Sequence, residues 1–436
     1  LIVLELISSG LLSLWLETAG VEASASRSPL PPPDAWGVTV PQTDLEVNRT
    51  IDAYLKALEG AGMARTDQGL WLQADITGLG SHQGTEVRRA ASITKLTTTL
   101  AVLDALSVDW AIETTVLVRG EVEDGTLYGQ LIVSGDRDPF FVYEEALELG
   151  NALQEAGIDR VAGEILVEGD VMLEGERDPE KVATMLRRSW SPDNWTPEIE
   201  SAHLRMAKGT PRPEIPVKKD RRRGKSNRLG DPEPVIVHRS LSAIGLLKHM
   251  NVYSDNVLAQ ELADQVGTPD EIAARVAQLA RVPAIEIQLA DGSGLDRNNQ
   301  ISPRAACAIL AAIQRHLWPY GLTVGDVLPI FGLDGGTMED RSMPINATAK
   351  TGTLWDTSAL AGVFPTRDRG LVWFAIFNEG EDYTLKFREQ QDKLLRALEQ
   401  YWGKADRSAD AIAPRLDADA DTRLGAPGRN RIVRSW

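Results

Sequence analysis

The stretch Ala91-Ser92-Ile93-Thr94-Lys95-Leu96-Thr97 sets a hydroxyl and an amine three residues apart at the head of an apolar run. From Ser92 to Leu106 the apolar residues fall at 93, 96, 100, 103 and 106, a spacing that predicts an amphipathic helix with Ser92 in or near its first turn. Residues i and i+3 share a helix face, so the Lys95 amine is expected within hydrogen-bond reach of the Ser92 oxygen. A serine hydroxyl is inert at neutral pH unless a neighbouring base takes its proton. Lysine is such a base only if burial or nearby positive charge lowers its pKa from about 10.4. The free N–H groups of a helix start would also suit an oxyanion. A capping serine followed by a solvated lysine has the same spelling, so S-x-x-K needs support from elsewhere in the chain.

Working outward, residues 44 to 60 (DLEVNRTIDAYLKALEG) read as a helix, and Gly69 to Gly78 alternates as a strand that turns at Gly78-Leu79-Gly80. Beyond the Ser92 helix the texture changes between about Thr114 and Val171: two strand-like runs flank the hairpin signal Asp124-Gly125, followed by a helix and another strand. This reads as an inserted α+β module, 113–207. Residues 208–235 carry a polar, basic stretch with Lys218, Lys219, Arg221, Arg222, Arg223, Lys225 and Arg228 crowded together, as expected of a mobile loop. Its functional alternative is peripheral contact of 218–228 with a membrane or an anionic wall polymer.

Helical periodicity returns from Ser240 to Val266 and contains Tyr253-Ser254-Asp255-Asn256. Two residues apart, Ser254 and Asn256 would lie on different sides of a regular helix, so a shared cleft requires a break between two helices here. An Asx-type turn or helix cap would use the same residues. Asp291-Gly292-Ser293-Gly294-Leu295-Asp296-Arg297 and Gly332-Leu333-Asp334-Gly335-Gly336-Thr337 are turn-forming clusters, and neither has the context of a phosphate-binding loop. Thr348-Ala349-Lys350-Thr351-Gly352-Thr353-Leu354 begins a strand, SALAGVFPT and GLVWFAIFNEG supply two more, and a helix ends near 403. The tail 404–436 is low in apolar content and expected to be disordered.

Composition narrows the function classes. The 436 residues are 43% hydrophobic and 25% charged, ordinary for a globular chain of two or three domains. A net charge of -17 offers no basic field for nucleic acid. The lone Cys307 precludes an intrachain disulfide and a cysteine metal cluster, and the five histidines show no ligand spacing, which disfavours a zinc site. Residues 1–25 have an apolar run and then Ala23-Ser24-Ala25, which reads as a secretory signal despite Glu5, Glu17 and the missing positive start; 26–43 is a proline-rich linker. Export to the periplasm or cell envelope is the expectation.

S-x-x-K at 92, S-D-N at 254 and K-T-G at 350 follow in order on a helix start, an interhelical loop and a strand, the signature of penicillin-binding proteins and serine β-lactamases. Within that superfamily the chain resembles the PBP4-type D-alanyl-D-alanine carboxypeptidases (class C, peptidase family S13). Its marks are the long separation of Ser92 from Ser254, DGSGL at 291–295, DGGT at 334–337, and AKTGTL leading into LAGVF and FAIFN. The resemblance covers roughly 44 to 400 and implies a mixed α and β, multidomain fold. A penicillin-binding-protein/β-lactamase-like antiparallel sheet flanked by helices, with a helical region, would be formed by 44–112 and 236–403, interrupted by the inserted module. The insertion looks shorter than in larger family members, and Trp355 stands where a small or polar residue is common.

The resemblance also implies roles. Ser92 would attack the penultimate D-Ala carbonyl of a peptidoglycan stem, and Lys95 would be the base, kept neutral by the charge of Lys350. Ser254 would relay the proton from Lys95 to the leaving amine. Asn256 would orient the peptide, Lys350 and Thr351 would hold the terminal carboxylate, and Gly352 would let the strand approach. The N–H groups of Ser92 and Thr353 would form the oxyanion hole. Arg297 and Asp170 are candidates for contacting the stem's diaminopimelate. Muropeptides are then the substrates, endopeptidase action is a further possibility of the same residues, and β-lactams are covalent inhibitors; no metal or organic cofactor is implied. A serine β-lactamase is the alternative, although no glutamate stands in a recognisable deacylating position. A non-catalytic wall-binding protein is another.

Overall fold

The computed structural model describes residues 44–218, 230–380, 384–405, 410–415 and 423–436. The expected signal 1–25, the linker 26–43 and most of the basic run lie outside these residues.

A five-stranded sheet organises the larger part of the molecule. Its order is Thr348–Leu354, Thr357–Thr366, Gly370–Glu379, Gln68–Ala74, Thr77–His82, with every neighbouring pair antiparallel. Period-two alternation sorts the strand residues between two cores. Leu70, Leu72, Phe364, Phe374 and Ile376 face the helices Leu45–Glu59 and Thr384–Trp402, whereas Trp71, Val363, Trp373, Ala375 and Phe377 join the core on the other side. That second core is built by the helices Lys95–Ala105, Ala243–Tyr253, Asn256–Val266, Pro269–Ala280 and Pro303–Leu317. Because both faces are covered, every residue of Thr357–Thr366 is buried, which explains the near-continuous apolar run there. The turn expected at Gly78-Leu79-Gly80 falls earlier, after Ala74: Asp75 takes a left-handed φ of 49°, and Thr77–His82 is already the return strand. Glycine there serves packing, since a Cβ on Gly80 would lie 2.6 Å from the Ile51 Cδ1.

The helix Thr384–Trp402 is tied by a buried ion pair to the connection that leads into the edge strand Thr348–Leu354. Arg341 donates from Nε and Nη2 to Asp392 Oδ1 at 3.0 and 2.7 Å, and the Ser342 N–H donates to Asp392 Oδ2 at 2.8 Å. Both charged side chains are buried. Asp392→Ala would strand the guanidinium without a counter-charge, and is expected to destabilise the protein by about 3–5 kcal/mol, measured as a fall in the denaturant midpoint.

The inserted module is a second α+β unit. Glu113–Glu123 and Thr126–Asp136 form the hairpin around Asp124-Gly125, and Glu164–Asp170 pairs parallel to Thr126–Asp136 after a crossover through the helix Tyr143–Glu155. Its extent differs from the sequence expectation in two places. Glu233–Arg239, split by the expected boundaries between the basic loop and the catalytic domain, pairs antiparallel with Glu113–Glu123 and is part of the module's sheet. Asn430–Ile432, in the tail expected to be disordered, pairs with Glu233–Arg239 in turn. A three-residue edge strand is held by main-chain bonds and by contacts such as Arg429 with Glu145, so it shows no apolar alternation to read. Among the described residues no helix is long and apolar enough to cross a membrane.

Candidate active site

Three chain segments meet between the sheet edge and the helical region. The expected regular helix from Ser92 opens instead as a 3-10 turn, Ala91–Thr94, before the α-helix Lys95–Ala105. Ala91 has a left-handed φ of 45°, an uncommon conformation for a residue with a side chain. The turn is clamped from both sides. A Cβ on Gly352 would lie 2.8 Å from the Ala90 carbonyl oxygen, and one on Gly294 (φ 89°) would lie 1.9 Å from the Ala91 carbonyl oxygen. Glycine is needed at both close approaches.

Lys95 is completely buried. Its Nζ donates to Ser92 Oγ at 3.1 Å, to Asn256 Oδ1 at 2.7 Å and to the Ser293 carbonyl at 2.6 Å. Burial pulls its pKa down to about 8, against the charges of Asp291 and Asp255, which act to raise it. Lys350 is also fully buried, on the edge strand Thr348–Leu354; its Nζ donates to Ser254 Oγ at 3.0 Å and to the Thr351 carbonyl at 2.9 Å. Burial, and after it the charge of Lys95, hold this amine well below the usual lysine range. The expectation that Lys350 neutralises Lys95 thus changes emphasis. Desolvation leads for both amines, and the like-charge effect registers on Lys350.

Ser254 and Asn256 reach one cleft for a local reason. Ser254 ends the helix Ala243–Tyr253 in the left-handed conformation (φ 57°), and Asp255 caps the next helix, its Oδ1 accepting from the Leu258 N–H at 3.0 Å. Asn256 is the first residue of that second helix. The sequence expectation connected Ser254 to Lys95; here its hydroxyl is bonded to Lys350, and the amine of Lys95 is taken by Ser92, Asn256 and Ser293.

Thr351 is largely buried and Thr353 is exposed farther along the same strand. Arg297 stands outside the hydrogen-bonded group. Its Nη2 donates to Asp356 Oδ2 at 2.5 Å, a carboxylate shared with Arg89 at 2.7 Å, and its guanidinium lies 5.0 Å from the Trp355 ring centroid. Asp170 is separate as well: it sits 3.9 Å from Arg137 and 3.8 Å from Arg177, both of which also engage Glu261 on the helix Asn256–Val266.

One participant went unassigned in the sequence reading, the Ser293 carbonyl. Asp291 shapes that loop: its Oδ1 accepts from the N–H groups of Ser293 and Gly294, and its Oδ2 from that of Asp296, at 2.6–2.7 Å. Burial pushes the Asp291 carboxyl up, but these bonds outweigh it and leave the pKa lowered. Thr98 Oγ1 donates to the Gly292 carbonyl at 2.7 Å and ties the loop to the Lys95 helix. Main-chain contacts of this kind have no residue-type signature; only the glycines around Ser293 hint at one.

The D-Ala-D-Ala carboxypeptidase 3 (S13) family matches residues 49–191 and 214–401, three quarters of the chain. The carboxypeptidase DacB of Mycolicibacterium smegmatis is 30% identical over 158 residues, which cover 32% of this chain and 34% of that protein, so the match spans about a third of the relative's length. Among solved structures, a predatory endopeptidase of Bdellovibrio bacteriovorus in complex with an immunity protein is similar at a TM-score of 0.63 and 19% identity, over 80% of this chain and 96% of that one. Penicillin binding protein 4 of Haemophilus influenzae is similar at a TM-score of 0.55 and 16% identity, over 79% and 99%. At these identities the likeness is one of fold. The reach of the family match across all three motif segments, with Ser92, Lys95, Ser254, Asn256 and Lys350 gathered at one cleft, places the chain in the D-Ala-D-Ala carboxypeptidase 3 (S13) family.

Proposed function

We propose that the protein is a serine-type D-Ala-D-Ala carboxypeptidase acting on peptidoglycan stem peptides in the cell envelope, with endopeptidase action on cross-links within reach of the same residues. The observation that carries this is the buried Lys95 amine 3.1 Å from Ser92 Oγ with its pKa drawn to about 8. An amine so placed is neutral in a minor fraction of molecules near physiological pH, far more than an ordinary lysine, and in that form it can accept the serine proton.

Ser92 Oγ attacks the carbonyl of the penultimate D-alanine as its proton passes to Lys95. The backbone N–H groups of Ser92 and Thr353 receive the oxyanion. Collapse breaks the peptide bond, leaves an ester on Ser92 and releases the terminal D-alanine, whose amine needs the proton Lys95 has just taken. Ser254, held by Lys350, supplies the hydroxyl through which that proton returns. Water then hydrolyses the ester. Asn256 uses its carbonyl oxygen on Lys95, which leaves its amide N–H groups to hold the substrate peptide. Thr351 engages the terminal carboxylate, and Arg297 and Asp170 are candidate contacts for the stem side chain at the rim. β-Lactams would acylate Ser92 by the same attack; a penicillin G-acylated form of the Bdellovibrio endopeptidase supports this reading. Of the basic run, only Lys218 lies within the described residues, and contact of 218–228 with anionic polymer or membrane remains part of the proposal.

Digestion of purified muropeptides followed by mass analysis is the test. Loss of a terminal D-alanine is the expected result; absence of any loss, together with no labelling by a fluorescent penicillin, would refute the assignment. A pH series adds a sign. Below its pKa Lys95 is an ammonium and cannot accept the proton, so the acylation rate should climb with pH and level off above about 8. A rate that falls through that range would exclude Lys95 as the base.

A further inference from the structure

Arg388 lies in the second turn of the helix Thr384–Trp402, and the next turn is immobilised beneath it. Gln391 Nε2 donates to the Ser358 carbonyl at 3.1 Å and to Asn378 Oδ1 at 2.8 Å, and Asp392 holds Arg341. Side chains on a helix lean toward its N-terminus. Here that direction carries the guanidinium to the Lys350 strand, where Nη2 donates to Thr353 Oγ1 at 3.0 Å.

A hydroxyl that accepts from a guanidinium keeps its single proton to donate elsewhere. Thr353 is exposed, so that proton is available to a ligand in the cleft. Thr351, two residues earlier on the strand, projects from the same face. Arg388 itself enters none of the ion pairs among the described residues: of the two carboxylates whose charge it feels, Asp392 is committed to Arg341 and to the Ser342 N–H, and Asp340 forms no ion pair with it. The guanidinium is half-buried and sets its positive charge beside the Thr353 hydroxyl. Lys350, the amine on that strand, is a poor source of that charge, since burial and the charge of Lys95 hold it well below the usual lysine range, and the Lys95 amine is taken by Ser92, Asn256 and Ser293. Arginine remains protonated throughout.

We propose that Arg388 is the residue that makes the site select a free terminal carboxylate: it fixes the Thr353 hydroxyl with its proton outward, toward the carboxylate of the departing D-alanine, and backs that donor with a permanent positive charge. This rests on the carboxypeptidase reading above. Arg388 acts through Thr353 as a positioning residue, and it takes no part in the proton transfers at Ser92.

The test compares an N-acyl-L-lysyl-D-alanyl-D-alanine with its C-terminal amide on wild type, Arg388→Met and Arg388→Lys. Wild type should prefer the free acid. In Arg388→Met, kcat/KM for the acid should fall about 10- to 100-fold, mainly through KM, because a hydrogen bond with a charged partner is lost, while the amide is cleaved as before. Arg388→Lys should recover part of the preference, and equal thermal midpoints should show that the helix stays in place. An unchanged acid-to-amide ratio in Arg388→Met, or an equal loss on both peptides, would overturn the assignment while leaving the carboxypeptidase standing. A wild type that neither releases D-alanine nor is labelled by penicillin would overturn both.

Discussion

Ser92→Ala is expected to abolish covalent labelling by penicillin and to lower D-alanine release by about 10⁶-fold, the scale on which removal of a catalytic serine acts. The substitution is clean. The hydroxyl is one of three acceptors on the Lys95 amine; Asn256 Oδ1 and the Ser293 carbonyl, at 2.7 and 2.6 Å, remain to hold it. The serine side chain is partly exposed, and methyl replacement neither opens a cavity nor strands a buried charge. Thermal unfolding should therefore be nearly unchanged while intact-mass spectrometry shows no penicilloyl adduct. An adduct that persists in Ser92→Ala would move the nucleophile elsewhere.

Lys95→Met is expected to slow acylation by about 10²–10⁴-fold, the usual worth of a positioned general base. Methionine nearly matches the stem of lysine and is itself apolar, so the desolvation cost of the buried amine disappears with the amine. The losses on the other side are the donor to the Ser293 carbonyl and to Asn256 Oδ1. Single-turnover acylation by a chromogenic penicillin would report the effect. The pH profile is the sharper readout: the inflection near 8 assigned to Lys95 should vanish from whatever rate remains. Survival of that inflection in Lys95→Met would hand the titration to Lys350.

Much of the architecture was legible because it is written locally. Alternation in GLVWFAIFNEG distributes Trp373, Ala375 and Phe377 to one core and Phe374 and Ile376 to the other, and helical spacing marked the elements that carry Lys95 and Cys307. The need for Ser254 and Asn256 to share a cleft foretold the helix break between them, which the left-handed Ser254 and the capping Asp255 provide. The module's edges were not legible. Glu233–Arg239 and Asn430–Ile432 join its sheet through main-chain pairing across the fold, a contact that leaves no periodic trace in a short strand.

The sequence alone determined which chemical groups are present and in what order: an alcohol three residues before an amine, a second alcohol two residues before an amide, and a second amine on a glycine-bearing strand. Side-chain identity and local period are sufficient for that much. Only the tertiary structure decided that both amines are wholly buried, that Ser254 bonds Lys350 while a main-chain carbonyl of the DGSGL loop takes Lys95, and that a guanidinium from the last long helix reaches Thr353. Desolvation, close main-chain approach and the meeting of residues far apart in the chain arise from how distant segments are packed together, and no single stretch of residues encodes them.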